Sequence, residues 1–164
     1  MEYATELRRR LREAILESLR CMRSAHEGED IDGYALCTDD DLSSFFPMAA
    51  STEFRRDLRN DEARFVPVDW TFDEGGHAFE GVTALLRTNS SSAGAEGFQA
   101  HVETSFESSI RVLEELRKEG HFSGTSFLWV TSTDPGPLLQ RLGREAAARL
   151  NSREEFDAWS AVME

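Results

Sequence analysis

Gly33-Tyr34-Ala35-Leu36-Cys37-Thr38-Asp39-Asp40-Asp41-Leu42, continued by Ser43-Ser44-Phe45-Phe46-Pro47-Met48-Ala49-Ala50, is the stretch that decides the fold. Gly33 to Cys37 reads as a buried strand, and Thr38-Asp39-Asp40-Asp41 stops it. Leu42 to Ala50 then resumes an apolar run through Phe45, Phe46 and Met48. Two such runs around a short Asp-rich turn predict an antiparallel hairpin. Pro47 has no N–H for a ladder bond, which puts the second strand at a sheet edge or at a bulge.

Working outward, Tyr3, Leu7, Leu11, Ile15, Leu19 and Met22 recur at steps of four or three. That spacing predicts a helix from about Glu2 to Ser24, with its apolar stripe on the core. His26 to Asp32 reads as a polar loop. After the hairpin, Ser51 or Thr52 caps a short helix to about Arg59. Phe65 to Phe72, interrupted by Pro67, reads as a short strand or an extended aromatic loop, and Phe79, Val82, Leu85 and Leu86 fit a short helix. Asn89 to Gly97 is rich in Ser, Gly and Ala and reads as a flexible surface loop at about 89–97. Phe98, Val102, Phe106, Ile110 and Leu113 mark a helix to about Lys118, closed by Gly120. Ser126 to Thr133 is strand-like, Pro137 opens a helix to about Leu150, and Ser152 with Glu155 forms a capping-box pattern before a last helix. The order predicts a single α+β domain over 1–164: a small, mainly antiparallel sheet covered by several amphipathic helices.

Charge sets the chemistry. The chain has 18 Lys and Arg against 31 Asp and Glu, a net −13 over 164 residues, with Lys118 the only lysine. Such a chain lacks the basic patch that draws nucleic-acid phosphates and is repelled by anionic membranes, so neither is an expected partner. Residues 25–41 hold seven acids and no base, and residues 61–107 hold nine acids against two bases. These two blocks carry the hairpin turn and the segment around Trp70. The N-terminus turns charged at once with Glu6, Arg8, Arg9 and Arg10 and shows no apolar signal core, so the expected location is cytoplasmic.

Catalytic signatures are sparse. Cys37 falls in a predicted strand, where a thiol acts as a small hydrophobe, and Cys21 stands five residues before His26, a spacing without meaning of its own. No Gly-x-Ser-x-Gly elbow and no phosphate-cradling glycine loop occurs. The histidines are His26, His77, His101 and His121; His77 and Glu80, three apart, offer two ligands where a metal site takes three or four. No cofactor and no metal is expected. Trp129 and Trp159 fall on predicted apolar faces. Trp70, flanked by Asp69 and Asp73, either plugs the edge of the core or anchors a basic partner through a large apolar contact ringed by carboxylates.

Tyr34-Ala35-Leu36-Cys37-Thr38-Asp39-Asp40-Asp41-Leu42 with Pro47-Met48-Ala49-Ala50-Ser51-Thr52 resembles the bacterial family called domain of unknown function 4303. The resemblance continues at Val68-Asp69-Trp70-Thr71-Phe72, at Glu119-Gly120-His121-Phe122, at the strand ending in Asp134 and at Leu150-Asn151. It implies an α+β fold and no established activity, and through its association with toxin-immunity proteins it implies a protein-neutralising role. The leading expectation is therefore a non-enzymatic acidic binding module, an immunity protein for a basic, toxin-like partner. Its contacts would be Asp39, Asp40, Asp41, Asp69, Trp70, Asp73 and Glu74. The alternatives are an enzyme with a hydrolytic or metal site around His77 and Glu80, or a structural, oligomeric accessory domain.

Overall fold

The computed structural model describes residues 2–57 and 61–164. The predicted hairpin forms. β1 (Ile31–Thr38) and β2 (Phe45–Ser51) pair antiparallel, with Leu36 opposite Pro47 and Thr38 opposite Phe45. Strand order is β2-β1-β3, so β2 is an edge, as Pro47 requires. Ala49 makes both of its backbone bonds outward, to Phe72, across an isolated antiparallel bridge. Pro47, two residues earlier, shares that outward orientation, so its missing N–H costs the hairpin nothing.

β3 (Phe127–Ser132) lies on the other side of β1 and runs parallel to it, Ala35 opposite Trp129. The sheet is mixed, with one antiparallel and one parallel pairing, rather than mainly antiparallel. Residue type specifies a strand but not its direction; the direction follows from the long helical crossover that returns the chain to the start of β1. Every residue of β1 and β3 is buried, the pattern of strands covered on both faces.

The cover is helical. α1 (Glu2–Ala25) buries Leu7, Leu11, Ile15, Leu19 and Met22 along the predicted stripe. α2 (Thr52–Arg56) is capped by Ser51, whose hydroxyl accepts from Phe54 N–H; it ends at Arg56 with Asp57 extended, short of the expected Arg59, and positions 58–59 lie outside the described residues. The Phe65–Phe72 stretch forms two 3₁₀ turns, Ala63–Phe65 and Pro67–Asp69, before the Phe72 bridge. A third 3₁₀ turn, Gly76–Phe79, leads into α3 (Glu80–Lys118). α4 (Pro137–Leu150) packs on β3, and α5 (Arg153–Met163) begins at Ser152, whose hydroxyl accepts from Glu155 N–H. One apolar cluster joins α1, α3, α4 and the sheet. Among the described residues no helix is long and apolar enough to cross a membrane.

The expected loop at 89–97 is absent. Asn89 to Gly97 is helical on both sides of Gly94, whose φ of 64° and ψ of −170° bend α3 sharply. Thr88 and Ser92 turn their hydroxyls back to the carbonyls four residues earlier, a bond that satisfies the hydroxyls within the helix and favours its bending. The bend is large: Asn89 Nδ2 lies 2.8 Å from His101 Nδ1, whereas twelve residues of straight helix span about 18 Å.

Candidate functional site

The two acidic blocks meet at His26, in the turn between α1 and β1. Its ring stacks on Phe72 at 3.7 Å. Nε2 lies 2.6 Å from Glu74 Oε1, and Nδ1 lies 3.6 Å from Glu29 Oε1. One imidazole thus sits between a carboxylate of each block. The other oxygen of Glu74, Oε2, is buried with no hydrogen-bond partner among the described residues. Around this junction Glu27, Glu29, Asp30, Asp69 and Asp73 are exposed. The result is a predominantly acidic margin along the end of the sheet where β1 starts, with Arg23 and Arg56 lining the same cavity as His26, Glu29 and Asp30.

The Asp39–Asp41 turn is elsewhere. β1 separates it from Asp30 by eight residues, about 26 Å of strand. Asp39 is occupied locally: its carboxylate accepts from Ser43 N–H at 2.7 Å, from Ser43 Oγ at 2.5 Å and from Ser44 Oγ at 3.3 Å. That bonding closes the turn. Asp40 and Asp41 are exposed. Six of the seven sequence-derived contact residues therefore divide between two places, with Asp69, Asp73 and Glu74 at the margin and Asp39, Asp40 and Asp41 at the hairpin tip.

Trp70 belongs to neither surface. It is 3% exposed, its indole N–H donates to Ala63 O at 3.1 Å, and its ring meets Phe127 edge-on. The reading as an exposed anchor gives way to the core reading, because the two 3₁₀ turns roll the ring inward. Val68, 58% exposed beside Asp69, is the apolar group the margin does present. Sequence reasoning passed over it, and the signal was the Pro67 turn that lifts the next residue outward.

Beneath the margin lies a buried ion network. The Arg55 side chain is only 1% exposed. It donates to Asp32 Oδ2 at 3.0 Å, to Ser126 Oγ at 2.9 Å and to Glu155 Oε2 at 3.2 Å. Its guanidinium lies over the Phe127 and Phe65 rings at 5.0 and 5.5 Å. Arg64 reaches the second oxygen of Glu155 at 3.0 Å. Glu155, read as half of a capping box, spends its carboxylate here instead. The network ties β1, α2, β3 and α5 together and fixes the floor of the margin.

Acids on the helices are mostly neutralised. Glu6 pairs with Arg9 and Arg10, Glu17 with Arg20, and Glu107 with Arg111 and Arg149. Glu103 pairs with Arg141, Glu114 with Arg149, and Glu119 with Arg12. Hydrogen bonds from Arg9 and Arg10 hold the Glu6 carboxyl at about 2, and Arg20 holds Glu17 at about 2. By contrast Asp40, Asp41, Asp61, Glu62, Asp69 and Asp73 make no ion pair among the described residues. Glu2, Glu53, Glu80, Glu96 and Glu154 on the helices make none of these pairs either, but the helices also hold most of the arginines, so the net negative charge falls on the turns and loops.

Cys37 is buried, and desolvation pushes its thiol up to about 12, so it is inert. His101 is buried, 3% exposed, with Asn89 on Nδ1 and Leu42 O at 3.5 Å from Nε2. Burial pulls its pKa down, opposed by the Leu42 carbonyl. His77 is exposed in the Gly76–Phe79 turn, and the groups within ligand range of it are Glu17 and Cys21 rather than Glu80.

The family model described as Domain of unknown function (DUF4303) matches residues 11–152. That span holds the hairpin, the His26 junction, the margin and Arg55; Glu155 lies just past it. No curated protein and no solved structure shows significant similarity to the chain.

Proposed function

The chain belongs to the DUF4303 family, a domain of unknown function, and we propose that it is a non-catalytic module that binds a basic protein through its acidic margin. The observation that carries this reading is the contrast in neutralisation. Most helix acids are paired with arginines, whereas Asp69 and Asp73 on the turns face solvent outside any ion pair among the described residues. An uncompensated acidic surface accelerates encounter with a cationic partner and disfavours anionic ones. Val68 supplies an apolar contact within it, and the Arg55 network holds the floor rigid, which limits the ordering cost of binding. An immunity protein covering the phosphate-binding surface of a basic toxin is the biological form that fits this chemistry. Asp40 and Asp41, at the far end of β1, form a second and smaller contact.

The test is affinity capture from the native bacterium with elution by a salt gradient, followed by association kinetics on the recovered partner. The reading expects a basic protein released by salt. It also expects Asp69→Asn with Asp73→Asn to slow association and flatten its salt dependence more than Asp40→Asn with Asp41→Asn does. A partner retained regardless of salt, or association unchanged by the margin substitutions at low ionic strength, contradicts it.

A further inference from the structure

On the flank of α1, away from the apolar stripe, three potential ligands converge from two elements. Glu17 and Cys21 are four residues apart, so the helix stacks a carboxylate and a thiol on one face, with Sγ 3.7 Å from Glu17 Oε1. His77 joins them from the Gly76–Phe79 turn, and the donor atoms of all three lie within 4.8 Å of one another.

The turn that delivers His77 is held in place by backbone packing. Gly75 takes a φ of 84° and approaches α1 so closely that a Cβ there would stand 2.5 Å from Ser18 Cα. Ser18 follows Glu17 directly, is buried, and shares a 2.7 Å hydrogen bond with the Tyr34 hydroxyl. The same contact that anchors the turn therefore sets His77 over the Glu17–Cys21 face.

We propose that Glu17, Cys21 and His77 form a binding site for a zinc-class divalent metal ion, with a fourth position open to water or an outside ligand. A thiolate, an imidazole and a carboxylate make a borderline-soft donor set that suits zinc and not magnesium or calcium, which take oxygen ligands. Metal–ligand bonds of about 2.0–2.3 Å place tetrahedral donors about 3.3–3.8 Å apart, so small side-chain rotations close the site. Cys21 releases its thiol proton to solvent on ligation. Arg20 is the competitor, with Nη2 2.5 Å from Glu17 Oε1 and 3.7 Å from Cys21 Sγ. Its side chain is largely exposed, and an exposed ion pair of this kind is easily displaced. The site is independent of the acidic-margin reading.

Untagged full-length protein titrated with Co²⁺, followed by Zn²⁺ competition, tests the site. One equivalent of Co²⁺ should give a thiolate-to-cobalt charge-transfer band and the visible bands of a four-coordinate ion, both abolished by Zn²⁺. Cys21→Ser should remove the charge-transfer band, while Cys37→Ser should leave it. His77→Gln should weaken affinity by more than the roughly tenfold typical of a lost outer-shell partner, and Arg20→Gln should tighten it. All of these positions except Cys37 lie on the surface of α1 or its neighbouring turn, and a thermal unfolding scan of each variant serves as the check that it is folded. Absence of the charge-transfer band in the wild type under excess Co²⁺, or its persistence in Cys21→Ser, overturns the proposal.

Discussion

The helical shell and the sheet margin carry similar kinds of acid and treat them differently. On α1, α3 and α4, residues three or four apart face each other, so Glu6–Arg9, Glu17–Arg20, Glu107–Arg111 and Arg141–Glu145 pair within their own helices. The turns at 61–74 offer no such spacing, and Asp69 and Asp73 stay unpaired. A net −13 is thereby concentrated where the backbone is irregular. The difference teaches that helical periodicity disposes of much of the charge it carries, although Glu80 and Glu96 on α3 stay outside the pairs, while the irregular turns at 61–74 have no such means.

The largest effect should come from the place where the margin is ion-paired. Arg55→Ala removes the cation shared by Asp32 and Glu155, leaving the buried Asp32 carboxylate with Ser126 alone and Glu155 with Arg64 alone. Equilibrium urea unfolding should show a loss of about 3–5 kcal/mol. A loss no larger than that of an exposed pair would mean that the network does not hold the margin to the sheet.

Gly75→Ala should cost less, about 1–3 kcal/mol in the same measurement. Its left-handed φ and its contact with Ser18 join the margin segment to the helical shell. Wild-type stability for this variant would show that the two regions are not locked together there.

A smaller, pH-gated effect belongs to His101, where the bent α3 meets the hairpin tip through the Leu42 carbonyl. Burial lowers its folded pKa below the ordinary 6.5, so the unfolded chain binds the proton more readily. Its contribution is therefore complete above about pH 6.5 and is lost as pH falls toward the folded value. The stability difference between wild type and His101→Gln should shrink over that window. The paired helix carboxylates such as Glu6 and Glu17, held at about 2, act only at much lower pH. A difference that stays constant from neutral pH down to 5 would contradict the assignment.

What the sequence made legible followed from local rules. The hairpin, the edge position of β2, the α1 stripe and the caps at Ser51 and Ser152 each rest on residues within a few positions of one another. Long-range facts were not legible. The parallel pairing of β3 depends on a crossover of many residues. Glu155 satisfied the local pattern of a capping box but is drawn to Arg55, and His77 is drawn to Glu17 and Cys21 instead of Glu80. At 89–97 composition misled, because only Gly94 breaks the helix while its Ser and Ala neighbours remain in it. Trp70 misled in the other direction: flanking acids describe the backbone around a ring without saying which way the ring turns.

The central claim is that net negative potential is concentrated at the sheet margin. Amide relaxation enhancement by matched cationic and anionic nitroxide probes measures that potential residue by residue in solution. The cationic-to-anionic ratio should be highest at Glu29–Asp30 and Asp69–Glu74, intermediate at Asp40–Asp41, and near unity along the ion-paired faces of α1 and α3. A ratio equal over the margin and the helical faces would contradict it.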